Sequence, residues 1–126
     1  MSSVNICSNQ TIAVSTSETI ESPGYPDGYK GPHRCTLNIT VPQYSSVEFR
    51  VDEVYDTPKA GCFSDNNYLG FYINNSLTKV CSKESNHSLL KSFLAEDREV
   101  QVILEFRSAN QYSQANYKFR IRCFGK

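Results

Sequence analysis

A chain of 126 residues is long enough to bury one core and too short for two well-packed ones, so a single domain over 1–126, with its core at about 7–122, is expected. Thirteen basic and thirteen acidic residues cancel, so no global field favours nucleic acid or an anionic membrane, and no apolar run approaches membrane-spanning length.

From Cys7 to Ile20 the chain is rich in Ser and Thr, with short β-branched pieces such as Thr11-Ile12-Ala13-Val14 that fit edge strands better than helix. Ser22-Pro23-Gly24-Tyr25-Pro26-Asp27-Gly28-Tyr29 then makes a fixed surface turn, because Pro presets φ and Gly permits the positive φ a reversal needs. Leu37, Ile39 and Val41 alternate with Thr36, Asn38 and Thr40, and Val47-Glu48-Phe49-Arg50-Val51 alternates again. The two are predicted to pair as an antiparallel hairpin across Pro42–Ser46. The acidic stretch Asp52–Gly61 has no period, and its Pro58 and Gly61 suit a loop.

Tyr68–Ile73 reads as an aromatic strand, Asn74-Asn75-Ser76 as a turn, and Thr78–Cys81 as a short strand. Ser82–Ser88 is polar and loop-like. Leu89–Leu94 reads equally as a helical turn or a strand. Val100–Phe106 is the strongest strand pattern, and Tyr117–Cys123 alternates as clearly, with Tyr117, Phe119, Ile121 and Cys123 on one face and Lys118, Arg120 and Arg122 on the other. Short strands at close intervals and no long amphipathic helix imply an all-β, antiparallel sandwich.

Five cysteines and four glycosylation sequons, at Asn9, Asn38, Asn74 and Asn86, point to a secreted protein or the extracellular face of the cell surface. With no apolar leader, the domain is expected to come from a larger secreted or membrane-anchored mosaic polypeptide, with Met1 foreign to it. No nucleophile elbow, phosphate loop or dinucleotide fingerprint occurs, and the two histidines, His33 and His87, have no zinc-ligand spacing to a cysteine. The reading is non-enzymatic.

The S-P-x-Y-P-x-x-Y turn followed by Cys35 entering an alternating strand resembles the CUB family of extracellular β-sandwich modules, over nearly the whole chain from Cys7 to about Ile121. Departures mark a divergent member: Ser8-Asn9 stands for a glycine pair, Leu37 for a tryptophan, Ser82 for a glycine and Asn116-Tyr117 for Gly-Phe. The resemblance implies a jelly-roll-like fold stapled by Cys7–Cys35 and Cys62–Cys81, leaving Cys123 as a buried thiol, a free thiol, an intermolecular bridge or the partner of a cysteine in a neighbouring module. Many members hold a calcium ion through three acidic residues. Asp65 matches the second and Asp56 is the best match for the first, with Asp52 and Glu53 as competitors. The third position reads Phe106-Arg107-Ser108-Ala109, where the carboxylate is missing and Asn110 could supply a neutral oxygen.

The function implied is protein–protein recognition, of an extracellular ligand or of neighbouring domains, with Asp52, Glu53, Asp56 and Asp65 as the favoured contact set. Tyr25, Tyr29, Tyr55, Tyr68 and Tyr112 suit such surfaces, although for Tyr25 and Tyr29 a structural role reads better. Two alternatives are carbohydrate or polyanion binding through Lys118, Arg120 and Arg122, with Arg107 as a further member, and a glycosylated spacer without a ligand of its own.

Overall fold

A computed structural model describes residues 3–13, 17–56, 67–80, 84–109 and 117–125. Among the described residues ten strands carry the fold: β1 (Ser3–Asn5), β2 (Thr11–Ala13), β3 (Glu18–Glu21), β4 (His33–Val41), β5 (Ser46–Asp56), β6 (Tyr68–Ile73), β7 (Ser76–Val80), β8 (Leu89–Leu94), β9 (Val100–Ser108) and β10 (Lys118–Gly125). They form two five-stranded sheets, ordered β1-β3-β10-β5-β8 and β2-β4-β9-β6-β7. We call these sheets A and B.

The period-2 pattern builds the core directly. Leu37, Ile39 and Val41 of β4, Val102, Leu104 and Phe106 of β9, and Leu69 and Phe71 of β6 are buried from sheet B. Val47, Phe49, Val51 and Tyr55 of β5 and Phe119, Ile121 and Cys123 of β10 are buried from sheet A. At the centre the rings interlock: Phe106 meets Phe119 at 5.3 Å and Tyr29 at 4.9 Å, both edge-on, and Phe49 meets Phe71 at 4.8 Å.

Several expectations are corrected. The sandwich is not wholly antiparallel, because β1 runs parallel to β3 and β2 parallel to β4. Of the N-terminal strands, β1 and β2 are edges, whereas β3 lies between β1 and β10. Strands β4 and β5 do not pair: β4 bonds to β2 and β9, β5 to β8 and β10. Strands β9 and β10, from the far end of the chain, supply each with an antiparallel partner that has its own apolar face. Leu89–Leu94 is a strand, pairing with β5.

Asp52–Asp56 is also strand rather than loop. Ile121 lies opposite Val51 and Arg120 opposite Val54, so one step on β10 spans three on β5 and leaves Asp52 and Glu53 as a two-residue bulge. Two extra residues preserve parity, so Tyr55 returns to the core face with Val47, Phe49 and Val51. Glu53, whose position in the alternation would aim it inward, is thrown outward.

Candidate functional site: a charged cluster on the outer face of sheet A

The bulge is held from three directions. The chain leaving β3 is tied to β10 at Ser22, whose N–H donates to the Phe119 carbonyl (3.0 Å) and whose Oγ accepts the Phe119 N–H (3.1 Å). Gly24, at φ 77°, supplies the reversal, and Tyr29 N–H closes the segment on the Tyr117 carbonyl at 3.0 Å. This turn sets Tyr25 over β10 and the bulge. Its hydroxyl donates to Glu53 Oε2 at 2.5 Å, while Arg120 and Lys118 stand about 5.9 and 6.0 Å from its ring centroid.

Arg120 is the hub. Its Nη1 donates to Glu53 Oε1 at 2.7 Å, and its Nε faces Asp52 Oδ2 at 3.2 Å and Glu21 Oε2 at 3.5 Å. Arg122 reaches Asp52 Oδ1 at 3.8 Å, and Lys118 Nζ donates to the Pro26 carbonyl at 3.1 Å. Asp52 and Glu53 of the acidic contact set and the basic stripe, separate surfaces in the sequence, are thus one surface with largely compensated charge. Asp52 is mostly covered, with its side chain 16% exposed, whereas Glu53 is 56% exposed. Tyr25's hydrogen bond, reinforced by Arg120, holds the Glu53 carboxyl below the usual carboxylate range. Desolvation, with Glu53 adding to it, pushes the Tyr25 phenol up.

Other residues singled out in the sequence scatter. Arg107 lies on β9 in sheet B, away from Lys118, Arg120 and Arg122 on β10 in sheet A. Tyr29, Tyr55 and Tyr68 are buried, and Tyr55 donates to the Val80 carbonyl at 2.5 Å. Tyr112 lies outside the described residues, as do Asp65, Asn110 and the Cys62–Cys81 pair. Asn9, Asn38, Asn74 and Asn86 are all exposed. Cys7 and Cys35 form a disulfide, which closes Cys7, Cys35 and the adjacent His33 to metal, because both sulfurs are bonded to each other. Cys123 is a buried thiol, pushed up to about 12 by desolvation and by Glu18.

Of the expected calcium position, Asp56 and Ala109 lie among the described residues. Asp56 ends β5 near Tyr29, whose phenol is raised by burial first, then by Tyr117 and Asp56. At the third position the Ala109 N–H donates to Asn67 Oδ1 at 3.0 Å. Asn67 is fully buried and its Nδ2 has no hydrogen-bond partner among the described residues, so the unmet group there is a donor, which does not ligate a cation.

The sequence pattern overlooked a second buried polar group, on the outer face of sheet B. Glu105, only 7% exposed, accepts from the Tyr68 hydroxyl, and Lys79 Nζ stands 4.7 Å over the Tyr68 ring. Gly70 makes room for this layer: a Cβ there would lie 2.6 Å from Leu77 Cδ1 and 3.1 Å from the Tyr68 ring. An aromatic residue two before a strand glycine was the available signal.

Comparison with known proteins agrees with the architecture. The chain superposes on a crystal structure of the MASP-1 CUB2 domain bound to Ca2+ with a TM-score of 0.67 and 20% identity, covering 94% of this chain and 99% of that one. The CUB1-EGF-CUB2 region of human MASP-1/3 matches with a TM-score of 0.69 at 16% identity, over 95% of this chain but 42% of that one. The extracellular region of zebrafish Gpr126/Adgrg6 matches at 0.59 and 16%, over 94% of this chain and 15% of that one. No curated protein matches at the sequence level. At these identities the superpositions speak for the fold alone, but the sequence model of the CUB domain matches residues 7–121, and the chain belongs to the CUB domain family.

Proposed function

We propose that this domain is a non-enzymatic recognition module of an extracellular mosaic protein, and that it binds a protein ligand or a neighbouring domain through the surface around Glu53. One observation carries the reading: Glu53 is an exposed, ionised carboxylate on a strand bulge, fixed by Tyr25 and Arg120 at little entropic cost on binding. A partner lysine or arginine is the matching group, and exchange of one of the two existing contacts admits it without rebuilding the site. Asp52 sits behind Glu53 as an already paired charge. Asp56, at the end of β5, extends the acidic edge, and Asp65, outside the described residues, is kept in the contact set on its sequence position alone. Family relatives found in multidomain extracellular assemblies support this kind of role.

The compensated charge of Arg120 and Arg122 weighs against the polyanion alternative, because a sulfate or phosphate must displace carboxylates at 2.7 to 3.8 Å. A panel of purified extracellular proteins, probed with the wild-type domain and with Glu53→Lys, tests the reading. Binding lost in Glu53→Lys and kept in an outer-face sheet B variant, Arg34→Ala, supports it. Partners indifferent to Glu53→Lys, or retention on heparin well above physiological salt, overturn it.

Calcium belongs to the same test. With a methyl group at Ala109 and an amide donor beside it, the expected outcome is one melting temperature in millimolar calcium and in chelator. A clear rise in calcium that Asp65→Ala abolishes would restore the ion to the acidic edge.

A further inference from the structure

Strands β6 and β7 are joined by the two-residue turn Asn74-Asn75, with φ of 52° and 66°, a geometry that asparagine tolerates and that twists with the strands. Asn74 is the acceptor of the sequon Asn74-Asn75-Ser76 and is exposed. Asn74 also lines a groove of about 360 Å³ on the outer face of sheet B. Tyr72 and Ile103, register partners on β6 and β9, line the same groove, with Arg98, Glu99 and Gln101 along its length. Tyr72 is half-buried and its position in the alternation is outward, so an aromatic ring lies beside the modification site instead of in the core.

We propose that the groove is the seat of this chain's own glycan: the first N-acetylglucosamine linked to Asn74 packs on Tyr72 and Ile103. The chemistry matches on both sides. A β-linked N-acetylglucosamine carries its ring substituents equatorially, which leaves a face of axial C–H groups for the electron-rich face of an aromatic ring. Gln101 offers both an amide donor and an acceptor, Glu99 an acceptor and Arg98 donors, for the acetamido and hydroxyl groups at the rim. Gln101 is already tied to Thr40 at 3.1 Å, which orients it and leaves its amide hydrogen-bonding capacity incompletely used. The groove sits at the small end of ligand sites, which run from about 300 to 1,000 Å³. A single sugar binds such a surface weakly in solution, but a covalent tether at the groove wall makes the contact intramolecular, at an effective concentration in the millimolar range or above. The glycan then acts as a clamp on the β6–β7 turn and on β9, and it covers Tyr72 and Ile103, two apolar groups otherwise presented to water. Asparagine at this turn is explained by its backbone alone; the aromatic groove beside it is not.

The inference rests on the extracellular reading only in requiring passage through the secretory route, and the experiment separates the two. The domain is secreted from mammalian cells restricted to high-mannose glycans, and site occupancy is mapped by mass spectrometry. A variant carrying Asn9→Gln, Asn38→Gln and Asn86→Gln isolates Asn74. Its melting temperature is measured with the full glycan, after endoglycosidase trimming to one N-acetylglucosamine, and as the Asn74→Gln form. The full and trimmed forms are expected to melt together, roughly 2–5 °C above the unglycosylated form, and Tyr72→Ala is expected to erase the difference. Should Tyr72→Ala not fold, upfield ring-current shifts of the N-acetylglucosamine protons in the otherwise unaltered domain decide the matter. Empty sequons throughout would overturn the secretory reading. Occupancy at the other sites with Asn74 bare, melting temperatures unmoved by trimming to bare protein, or sugar protons without ring-current shifts would overturn the glycan seat alone.

Discussion

Phe106 touches more of the aromatic core than any neighbour in its strand, with Tyr29, His33 and Phe119 rings at 4.9, 6.0 and 5.3 Å and no exposed surface. Truncating it removes the transfer energy of a phenyl ring and leaves a cavity among rigid neighbours that cannot collapse into it. Phe106→Ala is therefore expected to cost about 3–5 kcal/mol, read as a lowered denaturation midpoint at unchanged slope. A loss under about 1 kcal/mol would mean that the cluster rearranges freely. Cys123 makes the opposite kind of statement. Its thiol is 1% exposed and raised from 9.0 to about 12, so the neutral form is favoured in the fold. A raised value means that its contribution is complete below pH 9.0 and lost as pH climbs towards 12. Iodoacetamide at pH 8 should leave Cys123 unmodified in the native domain and label it in denaturant, mapped by peptide mass spectrometry. Native labelling would point instead to a thiol available for bridging.

At the scale of elements, the β5 bulge and β10 act together. Asp52 and Glu21 are mostly covered and share the Arg120 guanidinium, so removal of that charge strands two carboxylates. Arg120→Lys keeps the charge but not the planar fork, and is expected to lose about 1–2 kcal/mol, with Arg120→Ala losing more. Equal stability of all three proteins would reduce the cluster to solvated surface charge. Glu53 titrates below the ordinary 4.5, so its contribution is present at neutral pH and disappears as pH falls from 4.5 through its folded value. Between those limits the wild-type melting temperature should fall more steeply than that of Glu53→Gln. The sequence hid this arrangement for a physical reason. A bulge writes a charged residue into a position of core parity, and a reader of period 2 sees the pattern end at Val51, where in fact it resumes at Tyr55. In β9 and β10 no residue is inserted on their own strand, so the alternation of Val102, Leu104 and Phe106, and of Phe119 and Ile121, was legible in full.

For the whole molecule, the Cys7–Cys35 bridge ties the N-terminal strands to β4 across a separation of 28 residues. Strand β2 has three residues and β1 three, too few to hold an edge unaided. In the chain-entropy account a loop of this length contributes about 3–4 kcal/mol. Cys7→Ser with Cys35→Ser is expected to lower the melting temperature by roughly 10 °C and to expose β1 and β2 first to amide exchange. Uniform loss of protection across both sheets would assign the bridge a global role instead.

The sequence by itself determined the strand content, the inward set of most strands and the family. These are local or compositional properties: each is fixed by side chains two residues apart or by residue counts. Only the tertiary structure decided that β4 and β5 belong to different sheets, that two strand pairs run parallel, and that Glu53 meets Arg120 across a separation of 67 residues. Pairing is chosen by which apolar faces fit when the whole chain closes. A strand's alternation states which face it buries and carries no information about its neighbour.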